Sequence, residues 1–238
     1  MYKSWLLHPA VSQIEELRRL AARKMFHVAF VALLALPFVV GIPLETYTAI
    51  LAFIGGVVYS IQVRQPAVWE QLREDFFKTL EDVFTRLEQL LPLDKPGVRE
   101  QYAKAVRQFE ELVLMAERDY EKRHGYLGIL MGAVGFLIAE SIFGRGHLLP
   151  ALISLGVYDA VSAVAGTAMG GRRIGKVSLW GTTAGALANI LALVAAGAPV
   201  GAALLITAMV VLADVVSPED NLTIPVAAAA GSYLYHLL

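Results

Sequence analysis

Cysteine is absent from the 238 residues. That excludes disulfides, thiolate catalysis and Cys-based metal sites. Charge is scarce: 17% of residues are charged and 57% are hydrophobic, where a soluble domain carries about 25% and about 45–50%. Neither sign dominates, with 20 Lys and Arg against 21 Asp and Glu, a balance that points to no nucleic-acid partner. No internal duplication is visible, because a charged segment divides two apolar runs from five. A cleavable N-terminal signal is not expected either, since the first apolar run has no small-residue cleavage site after it.

What is present is clustered hydrophobicity. The chain reads as an all-α, polytopic membrane protein with about seven transmembrane helices. Residues 4–24 carry Trp5, Leu6, Leu7, Ile14, Leu17, Leu20 and Ala21 at helical spacing, with Arg18, Arg19, Arg23 and Lys24 at the end. That pattern predicts an amphipathic helix lying on the membrane. Apolar runs over 25–42 and 46–63 follow, each near the lower length limit for crossing a bilayer. Five more lie at 126–143, 147–169, 177–196, 200–216 and 222–238.

Residues 64–124 differ in kind. Trp69, Leu72, Phe76, Leu80, Val83, Leu87 and Leu90 recur in steps of three and four, and so do Val98, Tyr102, Ala105, Phe109, Leu112 and Ala116. A Pro92…Pro96-Gly97 break separates the two series. The spacing predicts two amphipathic helices folded into an antiparallel hairpin, or simply a solvated arm without chemistry. The domains are therefore 1–63 (interfacial helix and two spans), 64–124 (charged hairpin) and 125–238 (five spans).

Lys and Arg in short flanks set orientation. Arg18, Arg19, Arg23, Lys24, Arg64, Arg172, Arg173 and Lys176 fall on one side, while the opposite connections carry only Arg145. The N-terminus, the hairpin, the Gly170–Lys176 loop and the Glu219-Asp220-Asn221 loop are expected to face the cytoplasm, and the C-terminus the outside. Glycine pairs four apart, such as Gly166/Gly170 and Gly181/Gly185, predict close helix packing.

Three clusters stand out. Asp159 interrupts an apolar run, so it requires a polar cavity, a bound cation, a broken helix, or a buried partner such as Tyr158, Ser162 or Asn189. Gly170, Gly171, Arg172, Arg173, Gly175 and Lys176 imitate P-loop spacing, but Val177 stands where Ser or Thr belongs and the run follows a membrane helix, not a strand. The cations and backbone N–H groups suit phosphate in any fold, and they equally suit a topology signal. Glu219, Asp220 and Asn221, with Asp214 before them, offer hard oxygen ligands for Mg²⁺, or an N-cap for the last helix at Asp220 or Asn221. Arg23, Lys24 and His27 form a basic entry to the first span. Glu140 and His147 are read as an interfacial pair or as packing residues.

At these residues the chain resembles the CTP-dependent polyprenol kinases, the family of dolichol and phytol kinases. Arg23-Lys24 with His27 resembles its first motif. Asp159, Ser162, Ala163, Gly166 and Gly170, running on to Gly175-Lys176 and Ser178 to Thr182, resemble the central one. Asp220-Asn221 with Pro225 resembles the last. The chain departs from the pattern at Tyr158 (family Gly), Val177 (Lys), Trp180 (Glu) and Asp214 (Glu). The resemblance implies transfer of the γ-phosphate of CTP to a long-chain isoprenoid alcohol at the cytoplasmic face of the lipid bilayer. It implies catalytic roles for Asp159, Lys176 and Asp220. Nucleotide would be held by Gly166, Gly170, Gly171, Arg172, Arg173, Ser178, Asn221, Lys24 and His27, and Mg²⁺ by Asp159, Asp214 and Asp220. Alternatives are a CDP-lipid-forming cytidylyltransferase, a transporter relaying ions through Asp159 and Asp214, and a non-catalytic scaffold. A homo-oligomer through the hairpin or the glycine faces is compatible with each.

Overall fold

The computed structural model describes residues 9–90, 98–116 and 127–238. The chain divides into two compact units, Met1–Gly56 with Leu127–Leu238, and Val57–Tyr126. The described residues are helical apart from one short hairpin of two strands. Three helical stretches are long and apolar enough to cross a membrane: Glu15–Val40, Leu44–Arg64 and Arg145–Met169. Leu127–Phe143, Leu179–Ala195 and Val200–Val216 are apolar but shorter.

In the larger unit, helix α1 spans Pro9–Val40. The expected interfacial helix and first span are therefore one element from Pro9 onward, and residues 4–8 lie outside those described. The reason is local: no glycine occurs before Gly41, so nothing uncouples the basic segment from the apolar one. Pro37 lies inside α1. It has no N–H to give the carbonyl one turn back, which is that of Leu33. The Tyr47 hydroxyl of α2 (Leu44–Arg64) donates to that oxygen at 2.9 Å.

In the smaller unit, α3 (Pro66–Leu90) and α4 (Val98–Ala116) pack on each other. Phe77 meets Phe109 with ring centroids 5.9 Å apart, and the Tyr102 hydroxyl donates to the Leu80 carbonyl at 2.9 Å. Among the described side chains of α3, Phe77 is buried, at 6% exposure, while Leu72, Phe76 and Val83 of the expected stripe are exposed. On α4, Val106 is buried and Ala105 exposed. Leu80, Tyr102 and Phe109 of the expected stripes make the contacts between the helices, and Phe77 and Val106, each one position after a stripe residue, are buried beside them. The Pro92…Pro96-Gly97 break lies outside the described residues.

The chain returns to the larger unit in α5 (Leu127–Phe143). A 3₁₀ turn at Arg145–His147 leads into α6 (Leu148–Ile153), a π turn at Ser154–Tyr158, and α7 (Asp159–Met169). Then come β1 (Arg173–Ile174), β2 (Val177–Ser178), α8 (Leu179–Ala195), α9 (Val200–Val216) and α10 (Asp220–Leu237). Helix α10 packs against α5, α6 and α9, and α7 packs against α8 and α1. Phe136, Leu155, Tyr158, Ile206, Val210 and Ile224 are among the buried residues joining them. The helices touch at backbone distance: a Cβ on Gly181 of α8 would overlap the Ser162 carbonyl of α7. That is the small-residue packing the glycine spacing announced.

Candidate functional site

The glycine–arginine segment, expected as a loop, is an antiparallel β-hairpin with Arg173 opposite Ser178 and Ile174 opposite Val177. Its turn consists of Gly175 and Lys176, and Gly175 has φ 62°. A glycine at the first of two turn positions is the signature of a type II′ hairpin turn, so a short-range signal for this hairpin was present in the sequence. Lys176 is thereby carried at the tip. Ser178 ends the second strand and caps α8, its Oγ accepting from the Gly181 N–H at 3.0 Å. The same hydroxyl lies against Gly166, where an added Cβ would stand 2.6 Å from it. Gly166 and Ser178 are thus joined as the seat of the hairpin.

Asp159 opens α7 immediately after the π turn and is 7% exposed. None of the expected partners takes its carboxylate. Lys24 Nζ lies 2.6 Å and His27 Nε2 3.1 Å from Asp159 Oδ2. Ser162 donates instead to the Asp159 backbone carbonyl. His27 Nε2 is also 2.8 Å from the carbonyl of Leu155 in the π turn. A carbonyl only accepts, so Nε2 carries the proton and serves both oxygens. Lys24 and His27 stand one turn apart on α1, which places both on the face turned to α7. Burying a carboxylate is tolerable here because a cation meets it directly.

The second group forms around the hairpin tip. Lys176 Nζ lies 3.3 Å from Asp214 Oδ1 and 3.5 Å from Asp220 Oδ2. The other oxygen of Asp214 accepts from the Tyr158 hydroxyl at 2.7 Å. Tyr158 has 0% exposure. Tyr158 and Asp159 are consecutive, about 100° apart around a helix, so one faces α9 and the other α1. Tyr158 was a site residue that the sequence reading did not assign. The signal was its presence where the resembled family has glycine.

Other expected residues stand as follows. Asp220 and Asn221 begin α10 rather than capping it. Glu219 holds the cap position without a side-chain cap bond, and Asp220 Oδ1 accepts from the Asn221 N–H at 2.9 Å. The Asn221 amide reaches α5, 3.0 Å from the position of a Cβ on Gly128. Gly170 closes α7, with φ 63°. Gly171 lies against Trp180, whose Cδ1 would be 2.7 Å from an added Cβ. Arg172 and Arg173 are exposed. Glu140 and His147 are not a pair: Glu140 accepts from Thr48 at 3.1 Å, and His147 Nδ1 lies 3.0 Å from Ser232 Oγ.

Among the described residues no group of three or more His, Asp or Glu converges as metal ligands. Asp159 keeps to Lys24 and His27, whereas Asp214 and Asp220 share one cation, the Lys176 ammonium. Two carboxylates about a single positive centre fit the way Mg²⁺ is held, with phosphate and water oxygens completing its shell.

Compared with protein-family models, with curated proteins and with solved structures, the chain matches none.

Proposed function

We propose that the protein is a membrane-embedded kinase of long-chain isoprenoid alcohols, using CTP. One observation carries the reading: side chains from the three separated motifs gather into two adjoining cation–carboxylate groups, Lys24–His27–Asp159 and Lys176–Asp214–Asp220. Tyr158, next to Asp159 in the chain, bonds to the second group.

In this reading seven helices cross the bilayer. The shorter ones, at 17 residues, run about 26 Å, close to the roughly 30 Å of hydrocarbon. Their large apolar side chains point outward, Leu191 at 70% and Leu212 at 61% exposure, as lipid contact requires. The α3–α4 pair is an antiparallel cytoplasmic hairpin, a reading supported by the Phe77–Phe109 and Leu80–Tyr102 contacts. The N-terminus lies in the cytoplasm and the C-terminus outside.

Phosphoryl transfer needs positioning and charge neutralisation above all. Lys176 leaves its carboxylates for the phosphates when nucleotide binds, assisted by Arg172 and Arg173 from the hairpin and by the backbone at Gly170 and Gly171. Asp214 and Asp220 would hold Mg²⁺, whose contribution would be charge neutralisation at the phosphates. Asp159 orients the alcohol or takes its proton, held by Lys24 and His27. The alcohol oxygen bonds to the γ-phosphorus as its proton passes to Asp159, the bond to the β-phosphate oxygen breaks, and CDP leaves.

The test is incubation of the purified protein in detergent with Mg²⁺, γ-labelled CTP and a panel of prenyl alcohols. Label in the lipid phase, lost in Asp159→Asn and Asp220→Asn, is the expected result. Label released only as pyrophosphate would instead mark a cytidylyltransferase. No turnover with any alcohol, and no effect of either substitution in any assay, would end the enzymatic reading.

A further inference from the structure

Tyr158 takes no part in the mechanism above, and its placement is costly. A phenol with 0% exposure must find a hydrogen-bond partner. It donates at 2.7 Å to a carboxylate that is itself 7% exposed, and the Thr182 side chain of α8 also interacts with the phenol. Beyond the carboxylate the series opens to solvent: Lys176 has 35% side-chain exposure and Asp214 10%. A buried donor fixes Oδ2, and Oδ1 is then aimed at the ammonium. The tyrosine is in turn anchored. It ends the π turn, and its backbone carbonyl lies 3.0 Å from where a Cβ on Gly185 of α8 would stand.

We infer that Tyr158 is a positioning residue that sets the Lys176 side chain through Asp214, a relay running Tyr158 hydroxyl, Asp214 carboxylate, Lys176 ammonium. Without the hydroxyl the carboxylate rotates toward solvent and Lys176 loses its fixed address. A hydrogen bond to a charged group is strong enough to shift such an equilibrium about tenfold. The consequence for nucleotide rests on the reading of the site as a CTP-dependent kinase, while the relay itself does not.

The experiment measures acylation of individual lysines by a limiting amine-reactive reagent, read by peptide mass spectrometry on the full protein in detergent. An amine held between carboxylates reacts slowly. In Tyr158→Phe the rate at Lys176 is expected to rise about tenfold, with Lys24 unchanged as the internal control for folding. Asp214→Asn is expected to raise the same rate, and adding Tyr158→Phe to it to change nothing further. An unchanged rate at Lys176 in Tyr158→Phe overturns the relay, and so does an equal rise in the Asp214→Asn background. Should Tyr158→Phe loosen the bundle, visible as faster labelling of Lys24, Asp214→Asn alone decides: no rise at Lys176 in it refutes the relay. A second arm adds CTP with Mg²⁺. Protection of Lys176 in the wild type, weakened about tenfold in Tyr158→Phe, is expected. Absence of protection in the wild type refutes the kinase reading and leaves the relay to be judged on the labelling rates.

Discussion

The two ion-paired groups use the same chemistry in different surroundings. Lys24 and Asp159 have side-chain exposures of 14% and 10%, and Nζ sits 2.6 Å from Oδ2. Lys176 is 35% exposed and stands farther from two carboxylates, Asp214 at 10% and Asp220 at 36% exposure. The first pair is buried between two helices, α1 and α7, and its cation comes from a rigid helix position. In the second the cation rides on a two-residue turn at a hairpin tip. A desolvated pair is hard to separate once formed, because separation strands a buried charge. Where the cation is partly solvated and has two carboxylates, as Lys176 does, it leaves one partner more easily. The buried pair therefore suits structure and orientation, and the open one suits a cation that must change partners when a phosphate arrives.

Removing one side of each pair is the sharpest way to break this contrast. Lys24→Met leaves Asp159 buried and uncompensated, and should cost about 3–5 kcal/mol, read as a large fall in the thermal midpoint in detergent. Adding Asp159→Asn removes the stranded charge and should recover much of that loss. Lys176→Met should cost less than Lys24→Met, because Lys176 is itself 35% exposed and Asp214, though buried, keeps the Tyr158 hydroxyl as a partner, while weakening the binding of CTP with Mg²⁺. Equal losses for the two lysine variants would show that the pairs are energetically alike and that the assignment of roles is wrong.

Helix α8 adjoins both groups, so Gly181→Ala asks whether they share a frame. The new Cβ meets the Ser162 carbonyl and, at 2.7 Å, the Ser178 hydroxyl. Overpacking of this kind costs about 1–3 kcal/mol. The displacement should reach the hairpin seat before it reaches α1, so Lys176 should label faster while Lys24 stays protected. Faster labelling of both would mean that the groups move as one. Ser178→Ala is a milder probe of the same seat. It deletes the cap of α8, costing about 1 kcal/mol, and should loosen Lys176 with little change in the thermal midpoint.

Much of this arrangement was legible beforehand, for physical reasons that differ by element. The end of α9 at Val216 followed from Pro218 and the polar cluster after it. Asp159 demanded a polar cavity, a bound cation, a break in the helix or a buried partner, because an apolar run cannot shelter a lone carboxylate. That Lys24 and His27 are its partners was less accessible: periodicity offers them only as a basic flank, and 135 residues of chain separate Lys24 from Asp159. The π turn at Ser154–Tyr158 lies where a broken helix beside Asp159 was one of the alternatives, but the apolar run itself read as ordinary helix. The β-hairpin was missed because a positively charged, glycine-rich connection between two apolar runs was read for charge and not for its Gly-Lys turn. Tyr158 was visible as a departure from a resembled pattern, but its partner on α9 was visible only in three dimensions.

The smallest effect concerns the two arginines beside the open pair. Arg172 and Arg173 are exposed, and neither supports the fold through a buried contact, so replacing both with alanine should leave the thermal midpoint almost unchanged. In the proposed kinase their contribution would be long-range attraction to phosphate, which salt screens over about 8–10 Å at physiological ionic strength. The double variant should bind CTP with Mg²⁺ a few-fold more weakly at low salt and converge on the wild type as salt rises. Lys176→Met should not converge, because direct contact to a phosphate is screened far less than attraction through solvent. Parallel salt curves for the wild type and the arginine variant would remove the hairpin flank from the nucleotide site and leave its tip, Lys176, as the contact that the open group provides.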